Sequence, residues 1–199
     1  MLKKYLAELI GTFALSFVVL LAVASASTPI PVPVIAGLTL ALFVYSIGAL
    51  SGCHINPSVT LGLLSIKKIN VKDAVGYIVA QFIGAYLAIA IAHLFGISGL
   101  VAAGAWSNQV FFAEMLGSIF FTFGIASVVY GKAKEQMSGI VVGGSLTLGV
   151  LIAVFTGAAG ILNPAVALAL NSFTVAYIFA PIVGALIGFN LYKYVANER

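Results

Sequence analysis

Two short segments hold most of the polar chemistry of this 199-residue chain. Asn56-Pro57-Ser58-Val59 recurs as Asn163-Pro164-Ala165-Val166, 107 residues further on. Proline suits the first position of a helix, where its missing N–H has no partner to lose. Asparagine suits the cap before it, and its amide can also donate to a passing oxygen. One such pair is a turn or a cap. Two matched pairs, each followed by a short apolar stretch, define a site. Glu8 and Glu114 are the acids inside long apolar runs, at equivalent places in the two halves. A carboxylate there is expensive and must find partners. It can relay protons, or it can accept N–H bonds from an unwound loop and hold that loop rigid; the symmetric placement favours the brace.

The remaining reactive side chains argue against catalysis. Cys53 and His54 are neighbours in sequence, a poor geometry for a nucleophile and its base, and His93 falls near the end of an apolar run. A lone cysteine excludes an intrachain disulfide and a multi-cysteine metal site. With no phosphate loop or metal cluster in the sequence, the expectation is no enzyme, no cofactor and no metal.

The elements that must position these residues follow from composition. Hydrophobic residues make up 62% of the chain and charged residues 7%, against about 25% charged in ordinary soluble domains. Such a chain cannot furnish a polar exterior, so its exterior faces lipid. Spans of roughly 20 apolar residues are expected near 5–24, 33–51, 73–94, 110–130, 138–156 and 174–195. The first run is long for a signal-peptide core and contains Glu8, so it reads as a retained helix. Two shorter stretches remain, 57–66 and 164–172. Each is about 14 Å long as a helix, half a membrane, and reads as a re-entrant half-helix in a protein-lined or water-lined setting. The fold class is therefore an all-α membrane protein: six transmembrane helices plus two half-helices.

Charge sets the topology. Lys3, Lys4, Lys67, Lys68, Lys72, Lys132, Lys134, Lys193 and Arg199 all fall on one side of a six-span chain, while connections 25–32, 95–109 and 157–173 carry no charge. The positive-inside rule then places both termini in the cytoplasm. The net charge of +4 is a topology signal, and no nucleic-acid partner is expected.

The chain also repeats. Ala7-Glu8-Leu9-Ile10-Gly11-Thr12 is echoed by Ala113-Glu114-Met115-Leu116-Gly117-Ser118, and Ala80-Gln81-Phe82-Ile83-Gly84-Ala85 by Ala180-Pro181-Ile182-Val183-Gly184-Ala185. The repeat unit holds three spans, an odd number, so the second copy is inverted and the site belongs at the midplane between the halves. One domain, 1–199, with internal repeats of about 1–96 and 107–199, is expected. Gly11, Gly84, Gly117, Gly184 and Gly188 suit close helix crossings.

These motifs, with Ser51-Gly52-Cys53-His54-Ile55-Asn56-Pro57-Ser58-Val59-Thr60-Leu61-Gly62, give a chain that resembles the aquaporin, or major intrinsic protein, superfamily over essentially its whole length. The resemblance implies six tilted helices around one pore per subunit and a homotetramer in a cell membrane. It implies bracing of the loops by Glu8 and Glu114, with His54 in the cytoplasmic half of the pore. It further implies passive conduction of water and small neutral solutes, with ammonia or glycerol as alternative main solutes. Ser58 departs from the usual alanine. The four positions of the outer constriction carry over to Ala36, Leu151, Gly160 and Val166. Val166 replaces the usual arginine and resembles some plant vacuolar members that pass ammonia, urea and peroxide. Ala167 stands where glycerol channels usually carry Asp. A proton-coupled carrier and a structural membrane protein are the rival readings.

Overall fold

The computed structural model describes residues 2–25, 27–97 and 106–198. Arg199 and residues 98–105 of the uncharged 95–109 connection lie outside them. Among the described residues, eight α-helices follow in order: α1 Leu2–Ala24, α2 Val32–Ser51, α3 Pro57–Ser65, α4 Val71–Leu94, α5 Asn108–Val129, α6 Ser138–Phe155, α7 Pro164–Ala169 and α8 Val175–Val195. Six of them are long and apolar enough to cross a membrane. The two short ones, α3 and α7, begin at the two prolines.

Local chemistry fixes the helix starts. Ser107 caps α5 by accepting from the Val110 N–H, and Asn70 caps α4 by accepting from the Asp73 N–H. Such a cap stabilises a helix by about 1 kcal/mol. α7 is shorter than the apolar run suggested, ending at Ala169 rather than 172. Asn171 takes a left-handed turn (φ 52°), and the Ser172 N–H returns to the Ala167 carbonyl at 2.8 Å. Asparagine adopts that conformation more readily than most residues, which makes it a helix stop.

α1 packs on α4 and α2, α5 packs on α8 and α6, and α2 meets α6. The half-helices fill the middle: α3 lies against α8 and α4, and α7 against α4 and α1. Glycine permits the tightest crossings. A Cβ at Gly84 would strike the Leu9 carbonyl of α1, and one at Gly184 would strike the Met115 carbonyl of α5. Large apolar side chains such as Leu38, Leu42, Phe120 and Phe155 point outward, as lipid contact requires.

The lysines gather at one end of the bundle. Lys4 pairs with Asp73 at 2.7 Å, Lys132 pairs with Glu198 at 2.8 Å, and the Lys68 ammonium lies over the Tyr130 ring at 4.5 Å. The Lys132 ammonium is held above its ordinary pKa by that hydrogen bond to Glu198.

Candidate functional site

The site begins where the two loops leave their helices. α2 ends at Gly52 (φ 89°), and Cys53 (φ 51°) and Ile55 (φ 38°) follow in the left-handed region. Before α7 the same happens at Gly160 (φ 71°) and Leu162 (φ 53°). Each such non-glycine residue costs on the order of 1 kcal/mol or more. The alternation turns successive N–H groups toward one point, forming a nest for an anion.

In each loop that anion is a glutamate. Glu8 is fully buried. It accepts from the His54 N–H at 2.9 Å, the Ile55 N–H at 2.7 Å, the Ser51 hydroxyl at 2.7 Å and the Gln81 amide at 2.8 Å. Glu114 is equally buried. It accepts from the Gly160 N–H at 2.7 Å, the Ile161 N–H at 3.0 Å and the Leu162 N–H at 2.8 Å. Hydrogen bonds to an ionised group contribute about 1.5–3 kcal/mol each, enough to offset the loop strain. Pro181, the counterpart of Gln81, has no side-chain donor, so among the described residues the second brace rests on backbone alone.

The loops lock to each other through the asparagines. Asn56 Nδ2 donates to the Leu162 carbonyl at 2.9 Å, and Asn163 Nδ2 donates to the Ile55 carbonyl at 3.0 Å. Their Oδ1 atoms cap the half-helices, accepting from the Ser58 N–H at 2.8 Å and the Ala165 N–H at 3.0 Å.

A cavity of about 750 Å³ runs from Val23 and Pro33, at the uncharged end of the bundle, down to Asn56, Asn163 and His54. A second cavity, of about 500 Å³, opens at the charged end between Lys67, Lys68, Asp73 and Tyr77, and also reaches His54. Of the residues singled out from sequence, Asn56, Asn163, His54, Ala36, Gly160 and Val166 line the larger cavity. Pro57, Ser58, Pro164 and Ala165 are buried behind it. The Ser58 hydroxyl has no hydrogen-bond partner among the described residues.

Leu151 is not among the residues that line this cavity. The face that α6 turns to the cavity is Leu146, Val150 and Val154, spaced at i, i+4, i+8, and Leu151 sits one residue and about 100° off that face. Between α6 and α7 the loop turns through the left-handed region at Gly157, Gly160 and Leu162. A Cβ at Gly160 would meet Val150 and Val154 at 2.9 Å, so Val150 is the α6 neighbour of that position.

Two tyrosines escaped notice. The Tyr77 hydroxyl donates to the Ser51 carbonyl at 2.7 Å, and the Tyr177 hydroxyl accepts from the Ala159 N–H at 3.2 Å. Each ties a helix to the loop of its own half. Extending the Ala80/Ala180 match three residues upstream, to Tyr77-Ile78 and Tyr177-Ile178, carries the signal.

Comparison with known proteins agrees with this geometry. The profile of the family described as Major intrinsic protein matches residues 1–192. The chain is similar to Aquaporin AqpM of Methanothermobacter marburgensis, at 30% identity with 98% of each chain covered. It is similar to Glycerol uptake facilitator protein-like 6 of Lactiplantibacillus plantarum, at 34% identity with 94% of each covered. In structure it resembles the aquaglyceroporin from Plasmodium falciparum, with a TM-score of 0.71, 22% identity, and 98% of this chain and 95% of that one covered. That likeness establishes the fold.

Proposed function

We infer the function from the premise that this chain belongs to the major intrinsic protein family. It is an integral, multi-pass membrane protein and a channel for water and small uncharged solutes. The finer reading is our own. Conduction is passive, the protein is not an enzyme, and protons and ions are excluded. One observation carries it: the larger cavity converges on Asn56 and Asn163. Each asparagine gives one N–H to the opposite loop. The second N–H of each amide is left for a solute oxygen. The N-terminal ends of α3 and α7 meet at the same place, and their positive polarity disfavours a cation.

Residues of about 1–96 and 107–199 act as two inverted copies, each with its glutamate as a brace. The matching loop bonds of Glu8 and Glu114 support this, since a relay needs a proton path and these carboxylates are occupied by loop donors. Ala36, Val150, Gly160 and Val166 form the outer constriction. With neither arginine nor aromatic ring, it is wide and leaves a solute largely hydrated; in the narrower pore beyond it ammonia passes more readily than glycerol, whose three hydroxyls would lose water without compensation. Both termini are cytoplasmic in a cell membrane, and the protein is a homotetramer. The sparse cover of α2, buried within the chain at Ala36, Gly37 and Leu40, leaves a face for that assembly.

Stopped-flow scattering on proteoliposomes with several osmolytes tests passive conduction. Solute flux should rise linearly with its gradient and ignore an imposed pH gradient. Saturating flux that follows the pH gradient would identify a proton-coupled carrier with Glu8 and Glu114 as its relay.

A further inference from the structure

We propose that solutes are sorted in this channel at the His54 ring, near the charged end, and not at the outer constriction. The proposal rests on the reading of the chain as a channel. Ala36, Val150, Gly160 and Val166 line a single cavity of about 750 Å³ that continues past them to Asn56 and Asn163. Among the described residues, those four border the cavity without ending it. The cavity ends at His54, where the second cavity, of about 500 Å³, begins. His54 is the residue that both share, so the ring stands between them.

The ring is held on several sides. Its Nδ1 lies 3.1 Å from the Thr60 hydroxyl. That hydroxyl takes the Gln81 amide at 3.0 Å, and the same amide is fixed on Glu8 at 2.8 Å. The Tyr77 ring packs edge-to-face on it at 4.9 Å, with its own hydroxyl anchored on Ser51. Gly52 lies beside the far edge, where a Cβ would sit 3.3 Å from Cδ2 and Nε2. A ring so held cannot swing aside without breaking the bond to Thr60 and the contact with Tyr77. A solute must pass its edge, where Nε2 is the ring's remaining polar atom. Width is therefore selected there, with one hydrogen-bonding group on offer.

The test is the ratio of glycerol to water permeability of the full-length protein in proteoliposomes. His54→Asn keeps an amide atom where Nδ1 sits, so the bond to Thr60 survives, and it removes the outer edge of the ring. The ratio should rise by about tenfold. His54→Ala gives the same answer if the first variant fails to fold. Val166→Ala widens the outer constriction further and should shift the ratio by less than about twofold. A folded His54 variant with an unmoved ratio, or an equal rise in Val166→Ala, would overturn the assignment. Wild-type vesicles that pass neither solute faster than protein-free vesicles would instead overturn the channel reading beneath it.

Discussion

The carboxylate of Glu114 meets the N–H groups of Gly160, Ile161 and Leu162 and no side-chain donor among the described residues. Its chemistry is thus reduced to accepting hydrogen bonds through both oxygens, and the Gln amide, with one acceptor oxygen and an NH2 that can only donate, should serve in part. Glu114→Gln should still fold and conduct water, but with stability lowered by about 1–3 kcal/mol, because one loop N–H loses its acceptor. Glu114→Leu should leave the buried N–H groups of Ile161 and Leu162 and the half-buried one of Gly160 without their acceptor, at about 1–3 kcal/mol for each buried group, and the protein should aggregate when extracted in detergent. Size-exclusion profiles and vesicle water flux of the two variants check this. A folded, conducting Leu variant would show that the loop does not depend on the carboxylate. At this scale the sequence was informative wherever a residue type is rare in lipid. Asn56, Asn163, Glu8 and Glu114 stood out because polar groups there need a reason. Tyr77 and Tyr177 did not, since tyrosine is unremarkable in an apolar helix, although each makes one defining hydrogen bond. Val150 was missed because the count from Asn163 ran through a loop whose path depends on left-handed residues.

At the scale of elements, span positions were readable to within a few residues, because length and apolarity are set by the bilayer. What periodicity could not give is the face each helix turns to the cavity. In a soluble helix the polar face marks water and the apolar face the core. Here Leu15 and Val19 line the cavity while Leu6 and Ile10 of the same helix are exposed, and both sets are apolar. Glycine is a better guide, because helix contact without a hydrophobic drive depends on close approach. Gly184 lies against the Met115 carbonyl and the Ser118 side chain, whereas Gly144 is exposed with nothing within 4 Å of an added Cβ. Gly184→Leu should push α8 off α5 and destabilise the fold by about 1–3 kcal/mol. Gly144→Leu should be neutral. Cys53, the single cysteine of the chain and buried, reports the difference: a thiol-reactive dye should label it at a lower temperature in the Gly184 variant. Equal melting of both variants would contradict the crossing as described.

For the whole molecule, the lysine pattern, the two asparagine–proline pairs and the three matched segments together specified an arrangement that no single motif could. The family profile and the relatives place the chain in one family, and the structural neighbour shares its fold. The proposed pore is passive, admits water and rejects protons at the paired asparagines. Its most direct test measures osmotic water flux and proton leak in the same proteoliposomes, by light scattering and by a pH dye trapped inside. Water should equilibrate much faster than in protein-free vesicles, while the proton leak stays at the protein-free level. Water flux no faster than through bare lipid, or a proton leak that rises in step with it, would contradict the account.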